Sequence, residues 1–295
     1  MSAAAADLLE GFSVGLYSTW VRYRPFRLVF DCGEGLASRL GNGVFAIRTV
    51  LLSHGHLDHL SGLPSLVNIR NNAMGDPLAP LTVVYPTGDP FVACLRDYLA
   101  RSNPTLSYDL TWQAADAGSR LELDAQRSIE AFAVDHAKGQ LTLGYRVVEH
   151  RRRLRPELAG LAPAAIRELA RAGGREAVSA PYEHPLLVYG GDGLPPAREW
   201  LAGADLAVLD GTFLDPADRG RPTHATVDEV CAAATEAGVG HLVVMHISGR
   251  YRLPEARRAL RSAVRRAGYS GVVRLLWRDR FYRVAGESGA AGASA

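Results

Sequence analysis

Four side chains of types that bind metal ions lie within six residues of one another in this 295-residue chain: His54, His56, Asp58 and His59. Zinc prefers imidazole nitrogen and carboxylate oxygen, and such ligands must converge to ~2.0–2.2 Å from the ion. Residues this close in sequence converge only where the backbone turns tightly, and Gly55 permits such a turn. The pattern HxHxDH therefore predicts a metal site; a chance histidine-rich surface loop is the alternative.

More side chains of ligand type lie at or just beyond the ends of predicted strands. The strands are apolar runs at 27–30, 129–134, 186–189 and 241–245, and the side chains that follow them are Asp31, His136, Asp192 and His246. The HxHxDH pattern itself follows such a run, at 47–52. A single histidine at a strand end is more often structural than a ligand. Because open α/β sheets place their sites at the carboxyl ends of strands, these positions together predict one shared site.

Apolar runs alternate with helical patterns along the chain, which is typical of a layered α/β fold. Further strands are predicted at 81–85, 141–147, 204–209 and near 272–276. Helices are predicted at 163–172, 227–237 and 254–267 from a capping box, from prolines at helix starts and from glycines at helix ends. We expect one domain over residues 1–284 with a helical insertion at about 149–184, then a disordered tail at 285–295.

Composition argues against several classes of protein. Apolar residues make up 47% of the chain, enough for a sizeable core, and the net charge of +2 does not by itself indicate a nucleic-acid partner. Cys32, Cys94 and Cys231 form no CxxC pair, which argues against a disulfide framework and suits a reducing compartment. No run is apolar enough for a membrane span, and residues 1–12 do not resemble a signal peptide, so we expect a soluble, cytoplasmic protein.

Several phrases of the sequence resemble those of a known family. They are DCGEG at 31–35, SHGHLDHLSGLPSL at 53–66, LDGTF at 209–213 with THAT at 223–226, and VMHISGRY at 244–251. HxHxDH followed by a histidine, an aspartate and a last histidine is similar to the metallo-β-lactamase superfamily, and these phrases are similar to its ribonuclease Z branch. The resemblance implies an α/β fold of four layers, the αββα metallo-β-lactamase sandwich.

The resemblance also implies two zinc ions per chain, which manganese or iron can replace in such sites. The first ion would be bound by His54, His56 and His136, the second by Asp58, His59 and His246; Asp192 would bridge them, and Asp31 would orient a ligand from behind. Asp58 is also expected to be catalytic. In such sites two ions ~3.5–4 Å apart share a hydroxide that attacks phosphorus, while the metals stabilise charge on the phosphate oxygens. The expected activity is phosphodiester hydrolysis.

The leaving oxygen needs a proton, and His224 is the candidate donor because it lies just before the capped helix at 227–237. A carboxylate on its other ring nitrogen would favour the imidazolium, and Asp210 is the candidate partner, in place of the family's longer glutamate. The sequence leaves open whether this shorter side chain reaches the ring. Ser248 and Arg250 are candidates for binding a substrate phosphate. A surface histidine near a helix start is the alternative for His224.

The sequence leaves the substrate open. Residues 250–283 contain eleven arginines against Glu255 and Asp279, so they form either a nucleic-acid contact or a solvated helix face. The ribonuclease Z family has a flexible arm that grips tRNA, and residues 149–184 do not show its pattern. The leading interpretation is an RNA-cutting enzyme, with tRNA 3′-end processing as the leading case. A hydrolase of small phosphodiesters such as cyclic nucleotides is the second, and a non-catalytic nucleic-acid-binding subunit is the third. A homodimer is implied by the resemblance alone.

Overall fold

The computed structural model of the protein describes residues 6–72 and 79–286. The strands of these residues are β1 (Leu9–Val14), β2 (Ser18–Tyr23), β3 (Leu28–Phe30), β4 (Thr49–Leu51), β5 (Leu81–Pro86), β6 (Leu110–Ala115), β7 (Arg120–Asp124), β8 (Arg127–Ala133), β9 (Leu143–Leu154), β10 (Ser179–Tyr189), β11 (Leu206–Asp210), β12 (His241–Met245), β13 (Val272–Trp277) and β14 (Arg280–Ala285). The helices are α1 (Leu36–Leu40), α2 (Leu57–Leu60), α3 (Leu63–Asn71), α4 (Pro90–Ser102), α5 (Pro163–Val178), α6 (Arg198–Leu201), α7 (Val227–Glu236) and α8 (Leu253–Ala267).

The strands form two sheets. The first contains β1 to β6 in chain order, antiparallel from β1 to β3 and parallel from β3 to β6. The second has the order β14-β13-β12-β11-β10-β9-β8-β7, with a parallel centre from β10 to β13 and antiparallel edges. Parallel strands covered on both faces need apolar residues throughout, which explains the nearly unbroken apolar runs of β3, β11 and β12.

Three apolar cores separate four layers of structure. The central core lies between the sheets, where the rings of Phe30 and Tyr189 stack with their centroids 4.9 Å apart. A second core packs α1, α3 and α4 against the outer face of the first sheet. A third core packs α6, α7 and α8 against the outer face of the second sheet. The expected αββα sandwich is therefore confirmed.

The structure also confirms the predicted helices and adjusts their ends. α7 begins after Thr226, whose hydroxyl accepts the N–H of Glu229 while the Glu229 carboxylate accepts the N–H of Thr226. α8 ends at Ala267 and is followed by Gly268, which adopts the left-handed backbone (φ 65°) that favours glycine. The helix predicted at 163–172 is the first part of α5, which continues beyond a kink at Gly174.

From the sequence we expected residues 149–184 to form a helical insertion. In the structure this segment contains strands as well as a helix. β9 and β10 continue into this segment as an antiparallel pair that reaches Leu154 and Ser179, and α5 lies between the two strands in sequence. Both faces of this pair are at least partly exposed, so no apolar alternation marks the strands. Ion pairs accompany the arginines of the segment instead, as between Arg151 and Glu149.

The two ends of the chain also differ from expectation. β14 runs through Ala285, so the predicted disordered tail starts too early; residues 287–295 lie outside the described residues. At the other end, sequence reasoning missed the hairpin of β1 and β2. This hairpin lies at an edge of the first sheet and reaches the second sheet, because the backbones of Ser13 and Arg278 exchange hydrogen bonds of 3.0 and 3.2 Å. Within the described residues, no helix is long and apolar enough to cross a membrane.

Candidate metal centre

The predicted ligands come together at one edge of the sandwich. Asp31 follows β3, the HxHxDH loop follows β4, His136 follows β8, Asp192 follows β10, Asp210 ends β11 and His246 follows β12. Parallel pairing of β3 with β4, and of β10 with β11 and β12, brings the ends of these strands to the same edge of each sheet. The sequence prediction of a shared site at the carboxyl ends of the strands thus matches the observed positions.

The HxHxDH loop folds for a reason that differs from the one we expected. Gly55 does not have a positive φ, so the turn does not depend on the conformational freedom of glycine. Instead, a Cβ at Gly55 would overlap the carboxylate of Asp89, which caps α4 by accepting the N–H groups of Phe91 and Val92. The close approach of this cap fixes the path of the loop into α2.

The ligand-type side chains form two neighbouring groups. The first group is His54, His56 and His136, and the second group is Asp58, His59, Asp192 and His246. Within each group the candidate ligand atoms lie within 4.8 Å of one another. Asp192 Oδ2 lies 3.1 Å from Nε2 of both His59 and His246, and Asp192 also lies within that limit of His136. Asp192 is therefore placed between the two groups, as a bridging ligand would be.

Two buried atoms of these groups have no hydrogen-bond partner among the described residues. They are His136 Nε2 and Asp192 Oδ1. Buried polar atoms are nearly always satisfied, so two unsatisfied atoms that face one cluster call for a partner of another kind. Imidazole nitrogen and carboxylate oxygen are donors that suit zinc and its neighbours in the transition series. The residues therefore fit a divalent metal.

The electrostatics of the cluster also favour a cation. Burial opposes ionisation of Asp192, yet the charges of His246 and His59 hold its pKa well below the usual range. Burial likewise opposes protonation of His59, but the charges of Asp192 and Asp31 raise its pKa well above the usual value. Burial, together with the charge of His59, lowers the pKa of His54. Carboxylates that attract protons this strongly onto buried histidines would attract divalent ions as well.

A ring of hydrogen bonds behind the ligands fixes the orientation of the imidazoles. His59 Nδ1 donates to Asp31 Oδ2 at 2.8 Å and His136 Nδ1 donates to the Thr223 carbonyl at 2.9 Å, which leaves both Nε2 atoms for the cluster. Asp31 also accepts the Ser53 N–H at 2.7 Å and the Tyr189 hydroxyl at 2.6 Å. Asp31 thus lies behind His59, and its role in orienting a metal ligand stays a prediction.

Some of these supporting residues were missed by sequence reasoning. Thr212 Oγ1 lies 2.6 Å from Asp210 Oδ1 and 2.9 Å from His246 Nδ1, so the hydroxyl donates to the carboxylate and accepts from the ring. Tyr189 and Ser53 were missed as well, although both lie within segments that we singled out. A polar residue next to a predicted ligand was the only signal that could have found them.

The pairing of His224 with Asp210, left open by the sequence, is present. His224 Nδ1 lies 2.7 Å from Asp210 Oδ2. The short side chain reaches the ring because the segment before α7 folds back along the end of β11: Phe213 donates its N–H to the Ala225 carbonyl and accepts from the Val227 N–H. The loop thereby carries the histidine to the aspartate.

Ser248 and Arg250 lie near the centre but face a neighbouring loop. Arg250 Nε donates to Ser248 Oγ at 3.2 Å and its Nη1 donates to the Asp218 carbonyl at 3.2 Å. The guanidinium lies over the ring of Phe213, 5.4 Å from its centroid. Phosphate binding by these two residues stays a prediction, and it requires Arg250 to exchange its carbonyl partner for the phosphate.

Asp31 offers a first test of the centre. Asp31→Asn removes the negative charge behind His59 and leaves one amide group facing several donors. We expect zinc affinity to fall by roughly 10- to 100-fold, because partners behind metal ligands typically contribute this much. Competition against a chromophoric zinc chelator would measure the change. Asp116→Asn, at an exposed position, is the matched control, and equal affinity of the two variants would contradict the assigned role.

An αββα sandwich with paired His/Asp groups at its strand ends defines a class of metal-dependent hydrolases. Residues 26–155 and 183–247 match the family model of the beta-lactamase superfamily domain. The chain is 32% identical to Ribonuclease BN of Salmonella paratyphi C over 261 residues, which cover 77% of this chain and 80% of that protein. The chain belongs to the metallo-β-lactamase superfamily, in its ribonuclease Z-like branch. It is a metal-dependent hydrolase.

Solved structures of low sequence identity share the fold. The metallo-beta-lactamase fold protein YhfI from Bacillus subtilis is similar with a TM-score of 0.61 at 16% identity, over 93% of this chain and 98% of that one. The short form of human tRNase Z is similar with a TM-score of 0.59 at 20% identity, over 82% of this chain and 93% of that one. At such identities the likeness concerns the fold alone.

Proposed function

We propose that the protein is a two-zinc phosphodiesterase that cuts RNA, with the 3′ end of precursor tRNA as the leading substrate. The observation that carries the proposal is the position of His224 against both ligand groups. Its ring centroid lies 4.7 Å from that of His136, in the first group, and 5.2 Å from that of His246, in the second. A phosphate held across both groups would therefore have its leaving oxygen beside a histidine.

The two ligand groups would hold the metals and place the reacting atoms. Zinc bound there would supply an activated water and neutralise charge on the phosphate oxygens. Asp58 Oδ2 lies 3.5 Å from Nε2 of both His59 and His246, so its carboxylate would help to hold the metal of the second group, and we propose that it would also take up the proton of the attacking water. Burial opposes ionisation of Asp58, but the neighbouring rings of His246 and His59 outweigh it and hold the pKa of Asp58 below its usual range, so the carboxylate is ionised at neutral pH.

His224 would deliver a proton to the leaving oxygen. Its Nδ1 bonds to Asp210, which also accepts the N–H groups of Gly193 at 3.0 Å and Thr212 at 2.7 Å. A carboxylate so well satisfied stays fixed, and its bond to Nδ1 holds the His224 ring in one orientation. The other ring nitrogen, Nε2, is then free to donate to substrate, and the His224 side chain is partly exposed.

RNA is favoured as substrate by two observations. The similar proteins Ribonuclease BN and human tRNase Z carry names that refer to RNA. The arginines of α8 also include exposed side chains on the outer helical layer, Arg258, Arg261 and Arg265. Such a face would attract a polyanionic backbone through counterion release, whereas a small ester gains little from it.

A phosphodiesterase acting on small molecules, such as cyclic nucleotides, is the second candidate. The observation that favours it is the size of the extension formed by residues 149–184, which consists of one strand pair and the single helix α5. So short a segment provides little surface for gripping a folded RNA. The same metal centre and the same His224–Asp210 pair would serve either substrate.

The proposal is tested with the zinc-loaded protein on a series of substrates. We expect hydrolysis of bis(p-nitrophenyl) phosphate, loss of that activity after chelation and its return with zinc. We expect no hydrolysis of β-lactams or thioesters. A precursor tRNA with a 3′ trailer should be cut where the trailer begins. Metal analysis should give about two zinc ions per chain, as expected of a two-metal site.

The outcomes separate the candidates. Cleavage of cyclic nucleotides with an untouched precursor tRNA would favour the second candidate. Tight binding of the precursor with no cleavage of any phosphodiester would favour a non-catalytic subunit. Hydrolysis of β-lactams or thioesters alone would refute phosphodiester chemistry altogether.

A further inference from the structure

The most exposed large apolar side chains of the described residues surround the metal centre. They are Leu16 at 89%, Leu57 at 73% and Tyr17 at 70% of their full exposure. Leu57 lies inside the HxHxDH loop, between His56 and Asp58. Leu16 and Tyr17 form the turn between β1 and β2. Exposed apolar side chains that gather at one site usually mark a place where something binds.

The turn of β1 and β2 touches the ligands directly. Gly15 donates its N–H to the Ile247 carbonyl at 3.3 Å, and a Cβ at Gly15 would lie 3.4 Å from Cε1 of His246. The His246 N–H in turn donates to Ser13 Oγ at 2.8 Å. Leu16 and Tyr17 therefore directly follow a segment that is hydrogen-bonded to His246 and to Ile247. These bonds hold the turn beside the metal centre.

Backbone strain gathers in the same region. Among the described residues other than glycine, positive φ angles occur at Leu16 (71°), Arg27 (58°), Asp31 (55°), His246 (60°) and Arg278 (55°). All except Arg27 belong to the centre or to the hairpin and its contacts. A leucine in this conformation is costly, and such strain tends to persist where it serves a function.

A groove runs along the hairpin. Its volume is about 430 Å³, and its lining includes Tyr17, Phe12, Gly249, Arg39 and Arg278. Gly249 lies three residues after His246, and a Cβ there would be 3.5 Å from Cε2 of the Tyr17 ring. The groove therefore reaches the segment that follows His246 and combines aromatic rings with two guanidinium groups, of which that of Arg39 is paired with Asp279 at 2.7 Å. Grooves that bind single-stranded nucleic acid have this composition, because bases stack on rings while arginines meet phosphates.

We infer that the β1–β2 turn is a nucleobase-binding lip that holds one unpaired nucleotide of the RNA next to the scissile phosphate. Tyr17 stacks on the base, Leu16 and Leu57 shield it from water, and Arg278 meets the adjoining phosphate. The inference rests on the proposed function and specifies its substrate: the residue beside the cut is single-stranded. A small cyclic phosphodiester would not need this groove.

The test measures stacking separately from chemistry. The cleavage position in a labelled single-stranded RNA is first mapped, and the flanking nucleotides are then replaced by abasic residues. Tyr17→Ala should raise KM on the normal RNA by roughly tenfold or more with little change in kcat, and Tyr17→Phe should restore it. On the abasic RNA, the alanine variant and the wild type should have similar KM values. Tyr98→Ala, an exposed tyrosine on α4, is the matched control.

A binding measurement makes the outcome independent of turnover. Fluorescence anisotropy compares zinc-loaded His224→Ala with His224→Ala/Tyr17→Ala on both RNAs. Base-dependent binding that Tyr17→Ala removes supports the lip even if the wild type cuts no RNA, in which case the proposed function alone fails. Equal affinities with and without Tyr17, or equal losses on normal and abasic RNA, overturn the inference. Dissociation of a dimer by Leu16→Ala would also overturn the inference, because the turn would then be a subunit interface.

Discussion

Replacing His224 by alanine is expected to slow the cleavage of RNA by roughly a hundredfold or more while the protein keeps its zinc. Without a proton donor at this position, a ribose alkoxide must leave unprotonated, which is a difficult step. Nδ1 of His224 bonds to Asp210 Oδ2 at 2.7 Å, so this nitrogen is not available to a metal. Because His224 is not one of the proposed ligands, its loss should leave the zinc bound. Turnover of labelled RNA and elemental analysis of the variant would test both parts of this expectation.

Two controls make the His224 result specific. The p-nitrophenolate ion is a weak base that leaves without a proton, so the variant should lose far less activity on bis(p-nitrophenyl) phosphate. His184 forms a similar pair with Asp205, at 2.9 Å, near the start of β11 and away from the centre, so His184→Ala should cut RNA normally. His224 also lies close enough to His136 and Asp192 to bind a metal. Loss of zinc, or equal losses on the two substrates, would assign it that role instead.

Asp192→Asn is expected to have the largest effect of all. The side chain is buried between the two ligand groups, and its carboxylate lies 3.1 Å from Nε2 of both His59 and His246. An amide keeps the shape but loses the charge that a ligand shared by two cations would need. We expect zinc to fall from about two ions per chain to one or fewer, and phosphodiester turnover to fall by roughly a thousandfold or more.

The Asp192 result needs evidence that the variant is folded. Leaving two buried histidines without their carboxylate also costs stability, so circular dichroism and thermal unfolding should accompany the activity assay. Asp116→Asn, at an exposed site, controls for the loss of one negative charge. A folded variant that keeps two zinc ions and full turnover would show that Asp192 is not the bridge.

Ligand positions could be predicted from the sequence because strand ends are marked locally. Each ligand-type residue follows a buried apolar run, and parallel strands carry such runs to the same edge of the sheet. The histidine–aspartate pairing could not be predicted in this way. It depends on the pairing of Phe213 with Thr226, which folds two segments distant in sequence beside each other. Only the path of the loop in the folded protein shows that the short side chain of Asp210 reaches the His224 ring.

The parts of the fold that we missed lack a local signal. β9 and β10 continue as a strand pair with both faces partly in water, so their polar runs resemble a solvated connection. Gly55 illustrates the same limit at one residue. A glycine in a loop suggests a backbone turn, yet its small size here accommodates the Asp89 carboxylate that caps a distant helix.

The origin of the ligands has a consequence for how the whole molecule unfolds. Each ligand group takes side chains from both sheets: His54 and His56 face His136 across the sandwich, as Asp58 and His59 face Asp192 and His246. Each bound ion would therefore cross-link the two sheets, and separation of the sheets would release both ions together. The free energy of unfolding would then rise with the logarithm of the free zinc concentration. The fold and the catalytic centre would be lost together, in a single cooperative transition.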